Sequence, residues 1–430
     1  MSFYSRLEIR PATAAAGGAS EPLELSIPGS KSITNRALVL AALADGRVEL
    51  EGALWSQDTQ VMVGALRTLG FDVAVRDDPS EVCNRTIAVT GQGGKVPPGG
   101  SESSPLDIYV ANAGTAARFL VAMLCLGSGC YRVHGVERMH ERPQKALFDS
   151  LRSLGYRIDP ESQNDYLPAV VHGGGFRGGR VGVSVAESSQ FASALVIAGS
   201  RAGWEVEISD GHPDNLPYVN MTREIVHQFP FSGGSYPIEP DSSSASYFWA
   251  AAFMLGRTLT IRNWPESDWQ IDSRFPDFLP LPESISREKD LGDSILTAIA
   301  IAPWATHPVQ FHDLGRLRVQ ECERVYAMRT ELSKLGVRIE ESGDTLKVYP
   351  ASGPLTGAEI QTYDDHRIAM SMALTGLRVP GVVIHDPGCI RKTFPNFFQK
   401  WSAPAPLGLG CVVIDPDTGA DVAPESLIVA

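Results

Sequence analysis

Pro28-Gly29-Ser30-Lys31-Ser32-Ile33-Thr34-Asn35-Arg36 runs straight into Ala37-Leu38-Val39-Leu40-Ala41-Ala42-Leu43-Ala44 and stops at Gly46. Proline and glycine bring the chain to a turn, Ser30 or Ser32 can cap the first free backbone N–H groups, and the Ala/Leu run propagates a helix. The start of that helix carries one lysine and one arginine. Free N–H groups, the positive end of the helix dipole and two cations a turn or so apart suit a phosphate or a carboxylate. On this stretch alone, an ordinary capped helix with solvated basic residues is the more economical reading. Repetition changes the balance.

The same order, small polar residues before an Ala-rich apolar helix, recurs five times. Asn112-Ala113-Gly114-Thr115-Ala116-Ala117-Arg118 precedes an expected helix over 119–126 and a strand over 131–134. Glu187-Ser188-Ser189-Gln190-Phe191 precedes 192–198 and a strand over 204–208. Asp241-Ser242-Ser243-Ser244-Ala245-Ser246, Asp290-Leu291-Gly292-Asp293-Ser294 and Tyr363-Asp364-Asp365-His366-Arg367 precede helices over 247–255, 295–302 and 368–374. Between copies lies a second, amphipathic helix followed by a strand, best seen over 142–158 and 324–339. In the latter, Val325, Met328, Leu332 and Leu335 fall at helical spacing and Gly336 stops the helix.

Six copies of one strand–helix–strand–helix unit predict an α/β protein of two domains with three copies each. The division falls near Tyr236-Pro237-Ile238-Glu239-Pro240, giving a first domain over 28–238 and a second over 239–402. The N-terminal segment 1–27, with a strand over 7–10, is expected to pack with the second domain, and 403–430 form a C-terminal tail. The Gly/Pro/Ser-rich stretch 91–105 and the glycine run 173–179 are loops, because neither has the strand-into-helix setting of a phosphate loop. Four prolines between Trp264 and Ile285 leave the second helix of the fourth copy short.

Composition narrows the function. The 430 residues, 43% of them hydrophobic, suffice for two cores. A net charge of −13 argues against a nucleic-acid or anionic-membrane partner, so any anion site is a local basic pocket in an acidic body. The six cysteines show no CxxC pair and no metal-ligand spacing with histidine, which reads as scattered reduced thiols and no metal. Residues 1–20 lack a hydrophobic signal core and no apolar run approaches membrane-spanning length, so a cytoplasmic protein is expected.

The helix starts carry the chemistry: Lys31 and Arg36, Arg118, Ser188-Ser189-Gln190, Asp293, and Asp365-His366-Arg367. To these are added Arg142 in Glu141-Arg142-Pro143, Glu321 and Arg324 in Arg318-Val319-Gln320-Glu321-Cys322-Glu323-Arg324, and Lys392 in Arg391-Lys392-Thr393-Phe394. Any one of them is more often a surface cap or ion pair than a ligand. At equivalent ends of a six-fold repeat they form a constellation.

The motifs PGSKSITNRAL, NAGTAARFL, ERPQKAL, SSQF, DSSSASYF, DLGDSILT, RVQECER, DDHRIAM and KTFPNFF, in this order over residues 24–400, resemble those of the enolpyruvyl transferases, on the branch whose acceptor is shikimate 3-phosphate. The resemblance implies transfer of the enolpyruvyl group of phosphoenolpyruvate to the 5-hydroxyl of shikimate 3-phosphate, with release of phosphate through a tetrahedral intermediate. It implies two domains of three βαβαββ repeats around a pseudo-threefold axis, an active site in the cleft between them, a monomer, and no cofactor.

Matched position by position, Lys31, Gly114, Arg142, Gln190, Arg324, Arg367 and Lys392 correspond to residues that hold phosphoenolpyruvate. Ser32, Arg36, Ser188, Ser189, Tyr218 and Asp293, with Lys31 and Gln190 shared, correspond to those that hold shikimate 3-phosphate. The resemblance assigns Asp293 to the acceptor hydroxyl, Lys31 and Glu321 to acid/base work at the methylene carbon, and His366 to orienting neighbours. Two substrates bring several negative charges together, so dense cations are what such a complex needs.

Departures sit on the acceptor side: Gln320 where the family usually has lysine, and Arg316 where it usually has asparagine or histidine. Both remain acceptor-side candidates, with Arg316 restoring the charge that Gln320 lacks. Phe119 and Asn215 also replace the commoner proline and serine. A UDP-N-acetylglucosamine acceptor is disfavoured by Ser32, since that branch has asparagine after the lysine. An RNA 3′-phosphate cyclase is disfavoured by the acidic charge and the lack of a catalytic-histidine and ATP signature. A non-catalytic anion-binding homologue would be expected to lose Lys31, Asp293 or Glu321, and all three stand.

Overall fold

The computed structural model describes residues 3–10, 22–210, 216–265 and 267–429; Asn215 lies outside them. The chain forms two compact units, one of Gly29–Glu239 and one of Met1–Pro28 together with Pro240–Ala430. Both are mixed α/β, and among the described residues each contains three sheets.

In the unit of Gly29–Glu239, three helices begin at the motif stretches: Lys31–Leu43, Gly114–Leu124 and Gln190–Ala202. Every residue of Gly114–Leu124 is buried, as is every residue of the first helix from Ile33 on. A helix apolar on all sides is stable only when surrounded, and the Ala-rich composition lets neighbours approach closely. One four-stranded sheet pairs Gly234–Pro237 parallel to Arg47–Leu54, which continues antiparallel to Asn84–Thr90 and Asp72–Asp77. A second pairs Leu106–Tyr109 parallel to Ser128–His134, then antiparallel to Ala169–Gly174 and Arg157–Pro160. The third is the parallel pair Gly179–Val183 and Trp204–Ile208.

The other unit repeats the scheme. Ser284–Ser286 runs parallel to Val309–His312, which is followed antiparallel by Thr345–Val348 and Ile339–Ser342. Its motif helices are Ser242–Leu255, Ile295–Ile301 and His366–Ala373. The strand Leu23–Leu25, just before the first motif helix, pairs with Leu259–Ile261 and so belongs to this unit. Conversely, Gly234–Pro237, just before the helix Ser242–Leu255, belongs to the sheet of Arg47–Leu54. The chain thus crosses between units at 28/29 and 239/240, each time between a strand and the helix that follows it.

Two short strands after residue 402, Val412–Asp415 and Ala420–Asp421, join a sheet. Val412–Asp415 pairs antiparallel with Arg6–Arg10, whose other edge is Val382–His385. Within 142–158, expected to hold a helix and then a strand, the helix is Lys145–Ser153, beginning after Pro143, and the strand Arg157–Pro160 follows. Arg142 is therefore in the turn before the helix. In the proline-rich stretch of the fourth copy, Ile271–Phe278 forms a 3-10 helix in place of a regular one. Among the described residues no helix is long and apolar enough to cross a membrane.

Candidate active site

In the unit of Gly29–Glu239, the helices starting at Lys31, Gly114 and Gln190 have no side-chain cap; their preceding residues Ser30, Ala113 and Ser189 leave that position open. The capping expected of Ser30 does not form. Its backbone N–H donates to the Glu239 carbonyl at 2.7 Å, while its hydroxyl is buried without a partner. At Lys31 and Gly114 the positive helix ends are thus not quenched by side-chain caps, and cations gather beside them.

Gly114 is the pivot of this group. A Cβ there would stand 2.4 Å from Arg118 Nη1 and 2.5 Å from Arg142 Nη2, so two guanidiniums close on the space that a side chain would fill. Arg118 donates through Nη1 to Gln190 Oε1 at 3.0 Å and through Nη2 to the Pro143 carbonyl at 3.0 Å. Arg142 donates through Nη1 to the Asn112 carbonyl at 2.9 Å and to its Oδ1 at 3.2 Å. Both arginines are buried. Two cations this close and this dry repel each other, and an anion between them relieves the repulsion.

Lys31 lies 3.3 Å through Nζ from Asp58 Oδ2, an acidic partner on the helix Gln57–Thr68 that no motif signalled. Arg36 is knitted into the unit: Nε donates to Thr222 Oγ1 at 2.7 Å, Nη1 to the Ser32 carbonyl at 2.8 Å, and Nη2 to Ser193 Oγ and the Tyr218 carbonyl. Its guanidinium stands over the Phe119 ring at 5.2 Å. Burial lowers its pKa to about 10, against the opposing pull of Tyr218. Ser188 Oγ accepts from the backbone N–H of Gln190 at 3.2 Å, and Ser189 precedes the same helix.

In the other unit, Asp293 is gripped on both oxygens: Arg287 Nη2 reaches Oδ1 at 3.0 Å and Arg367 Nη2 reaches Oδ2 at 3.1 Å. Burial alone would raise its pKa, but Arg367, then Arg287 and Arg324, outweigh it and hold the carboxyl well below the usual range. Arg324 donates through Nε to Asp365 Oδ2 at 2.7 Å and through Nη2 to Glu321 Oε2 at 2.9 Å and Asp365 Oδ1 at 3.2 Å. Gln320 Oε1 accepts from Arg324 Nη1. Lys392 Nζ is 3.8 Å from Glu321 Oε1, so Glu321 faces two cations.

Asp365 caps the helix His366–Ala373 by accepting from the Arg367 N–H at 2.9 Å. His366 is buried, with Nδ1 3.7 Å from Asp365 Oδ1. Arg316 Nη2 lies 3.5 Å from Glu288 Oε1. The sequence-predicted residues therefore form two groups. Lys31, Gly114, Arg142, Gln190 and the serines lie in one unit, and Asp293, Glu321, Arg324, Arg367 and Lys392 in the other. Asp58, Asn112 and Arg287 complete them, each paired with a predicted residue, and Asp365, already singled out at its helix start, holds Arg324.

Comparison with known proteins supplies the chemistry's setting. The family model for EPSP synthase (3-phosphoshikimate 1-carboxyvinyltransferase) matches residues 22–232, 230–277 and 286–401. A 3-phosphoshikimate 1-carboxyvinyltransferase of Nostoc sp. is 36% identical over 416 residues, which is 88% of this chain and 95% of that protein. One of Opitutus terrae is 38% identical over 412 residues, 87% of this chain and 93% of that protein. The fold matches the structure of EPSP synthase from Acinetobacter baumannii with a TM-score of 0.70 at 20% identity, covering 95% of this chain and 99% of the other.

Proposed function

The chain belongs to the EPSP synthase family, and from that premise we propose how its residues carry the enolpyruvyl group of phosphoenolpyruvate to shikimate 3-phosphate. The two substrates bring phosphates and carboxylates, and the cations described above suit them. Lys31, Gly114, Arg142, Gln190, Arg324, Arg367 and Lys392 take phosphoenolpyruvate. Lys31, Ser32, Arg36, Ser188, Ser189, Gln190, Tyr218 and Asp293 take shikimate 3-phosphate, with Arg316 and Gln320 on the same acceptor side.

The observation that carries this reading is the pair of buried guanidiniums closing on Gly114. A carboxylate or phosphate seated there gains charge-assisted, forked hydrogen bonds that water cannot match in a buried site. In the first step the 5-hydroxyl loses its proton toward Asp293 as its oxygen bonds to C2 of phosphoenolpyruvate, while the methylene carbon takes a proton from Lys31 or Glu321. In the second step the new methyl group returns its proton, the C–O bond to phosphate breaks, and the proton held by Asp293 leaves with the phosphate, giving the enol ether and inorganic phosphate. Proton and leaving group balance without a metal or an organic cofactor. Glu321, between Arg324 and Lys392, is held ready for such an exchange. His366 orients Asp365 and the helix that presents Arg367.

We read the three sheets of each unit as three βαβαββ repeats around a pseudo-threefold axis. The parallel-then-antiparallel order shared by the three four-stranded sheets supports this. The test of the function is phosphate release from phosphoenolpyruvate plus shikimate 3-phosphate by the full-length protein. Release is expected only with both substrates present. No release, or equal release with unphosphorylated shikimate, would overturn the assignment.

A further inference from the structure

Arg287 lies outside every motif, in the loop after the strand Ser284–Ser286, yet it is 7% exposed and touches the proposed base. Its backbone N–H donates to the His312 carbonyl at 3.1 Å, which fixes its Cα at the end of the sheet. Its Nη2 holds Asp293 Oδ1 at 3.0 Å. Its Nε is buried with no hydrogen-bond partner, so the guanidinium is desolvated beyond what its contact with Asp293 satisfies. A purely structural ion pair gains little from a buried arginine left with an orphan donor.

We infer that Arg287 is the positioning residue for Asp293, holding the carboxylate ionised and aimed when Arg367 turns to phosphoenolpyruvate. This rests on the reading above, in which Asp293 accepts the hydroxyl proton and Arg367 binds phosphoenolpyruvate. In the structure both arginines share Asp293, one on each oxygen. A guanidinium that engages an anionic substrate gives up part of its hold on the carboxylate. Were Arg367 the sole partner, Asp293 would lose its cation as a second negative charge arrived. It would then swing, or take up a proton from water before the acceptor hydroxyl delivered its own, and the base would be gone. Arg287, anchored at the sheet and too buried to leave, keeps one oxygen of Asp293 fixed. Each carboxylate oxygen has two lone-pair directions, so the acceptor hydroxyl still finds a free one.

The test compares wild type, Arg287→Gln, Arg287→Lys and Asp293→Asn as full-length enzymes, with thermal unfolding, kcat and both KM values measured. For Arg287→Gln a fall in kcat of about 10²-fold and a rise in KM for shikimate 3-phosphate of about tenfold are expected, with KM for phosphoenolpyruvate within about twofold. Arg287→Lys, which restores the charge, should recover at least tenfold of the lost kcat. A merely structural arginine predicts instead a lower melting temperature with both KM values moving together and no recovery by lysine, and that result overturns the inference. If Arg287→Gln does not fold, the selective rise in KM for shikimate 3-phosphate must appear in Arg287→Lys, and its absence is decisive against the idea. An inactive Asp293→Asn beside a fully active Arg287→Gln defeats the role of Arg287 alone. An inactive wild type defeats the reading on which it rests.

Discussion

Arg324 and Asp365 form a two-pronged ion pair, Nε to Oδ2 at 2.7 Å and Nη2 to Oδ1 at 3.2 Å, with Arg324 1% exposed and Asp365 fully buried. The same carboxylate caps the helix that begins at His366, so one side chain fixes both a proposed substrate ligand and the helix that presents Arg367. The geometry of two arginines depends on one aspartate.

Asp365→Ala removes the cap, worth about 1 kcal/mol, and leaves a buried guanidinium without its main partner, which typically costs about 3–5 kcal/mol. A loss of several kcal/mol in urea unfolding is expected. A change under about 1 kcal/mol would mean that Glu321 alone satisfies Arg324.

Gly114→Ala puts a methyl group against Arg118 and Arg142, whose own hydrogen bonds resist retreat. The expected result is a rise of about tenfold in KM for phosphoenolpyruvate with KM for shikimate 3-phosphate unchanged, since a misplaced anion site costs on the order of 1–2 kcal/mol. Glyphosate should compete with phosphoenolpyruvate in the wild type and bind more weakly to the variant. Inhibition of the wild type only in the millimolar range would show that the space beside Gly114 is already narrowed.

Glu321→Gln keeps the size and one acceptor oxygen but removes the proton carrier between Arg324 and Lys392. Turnover should fall by about 10²-fold or more, with substrate binding nearly intact. Turnover within threefold of wild type would take Glu321 out of the mechanism.

What the sequence reveals and what it hides divide by range. The helices starting at Lys31, Gly114, Gln190, Ser242, Ile295 and His366 announce themselves, because an Ala-rich run after a polar start is a local signal. The exchange of strands between units is legible only as the expectation that 1–27 pack with the second domain, and its pairing is not. Leu23–Leu25 is three residues long, and its partner Leu259–Ile261 lies more than two hundred residues away. Asp58 and Arg287 stay hidden for the same reason, since a helix residue and a loop residue gain meaning only from the charge that folding brings to them. Gln320 and Arg316 have contacts that no motif announces: Gln320 accepts from Arg324, and Arg316 Nη2 lies 3.5 Å from Glu288 Oε1. Lysine at 320 would therefore set an ammonium beside the Arg324 guanidinium.

The last prediction concerns pH. Asp293 has its pKa held well below the usual carboxylate range: burial pushes upward, but Arg367, Arg287 and Arg324 prevail. A carboxylate depressed on folding contributes stability that is fully present above its unfolded value, about 3.9, and is lost as pH falls from there toward the folded value. Asp293→Asn abolishes that contribution and leaves Arg287 and Arg367 facing a neutral amide. The variant should therefore be less stable than wild type at pH 7, and the gap should narrow as pH falls below about 4, where the wild-type carboxylate begins to lose its advantage over the unfolded chain. Urea unfolding of both proteins at a series of pH values measures the gap directly. A gap of constant size from pH 7 down to the acid limit of folding would show that Asp293 titrates alike in both states, and that the two arginines do not hold its charge.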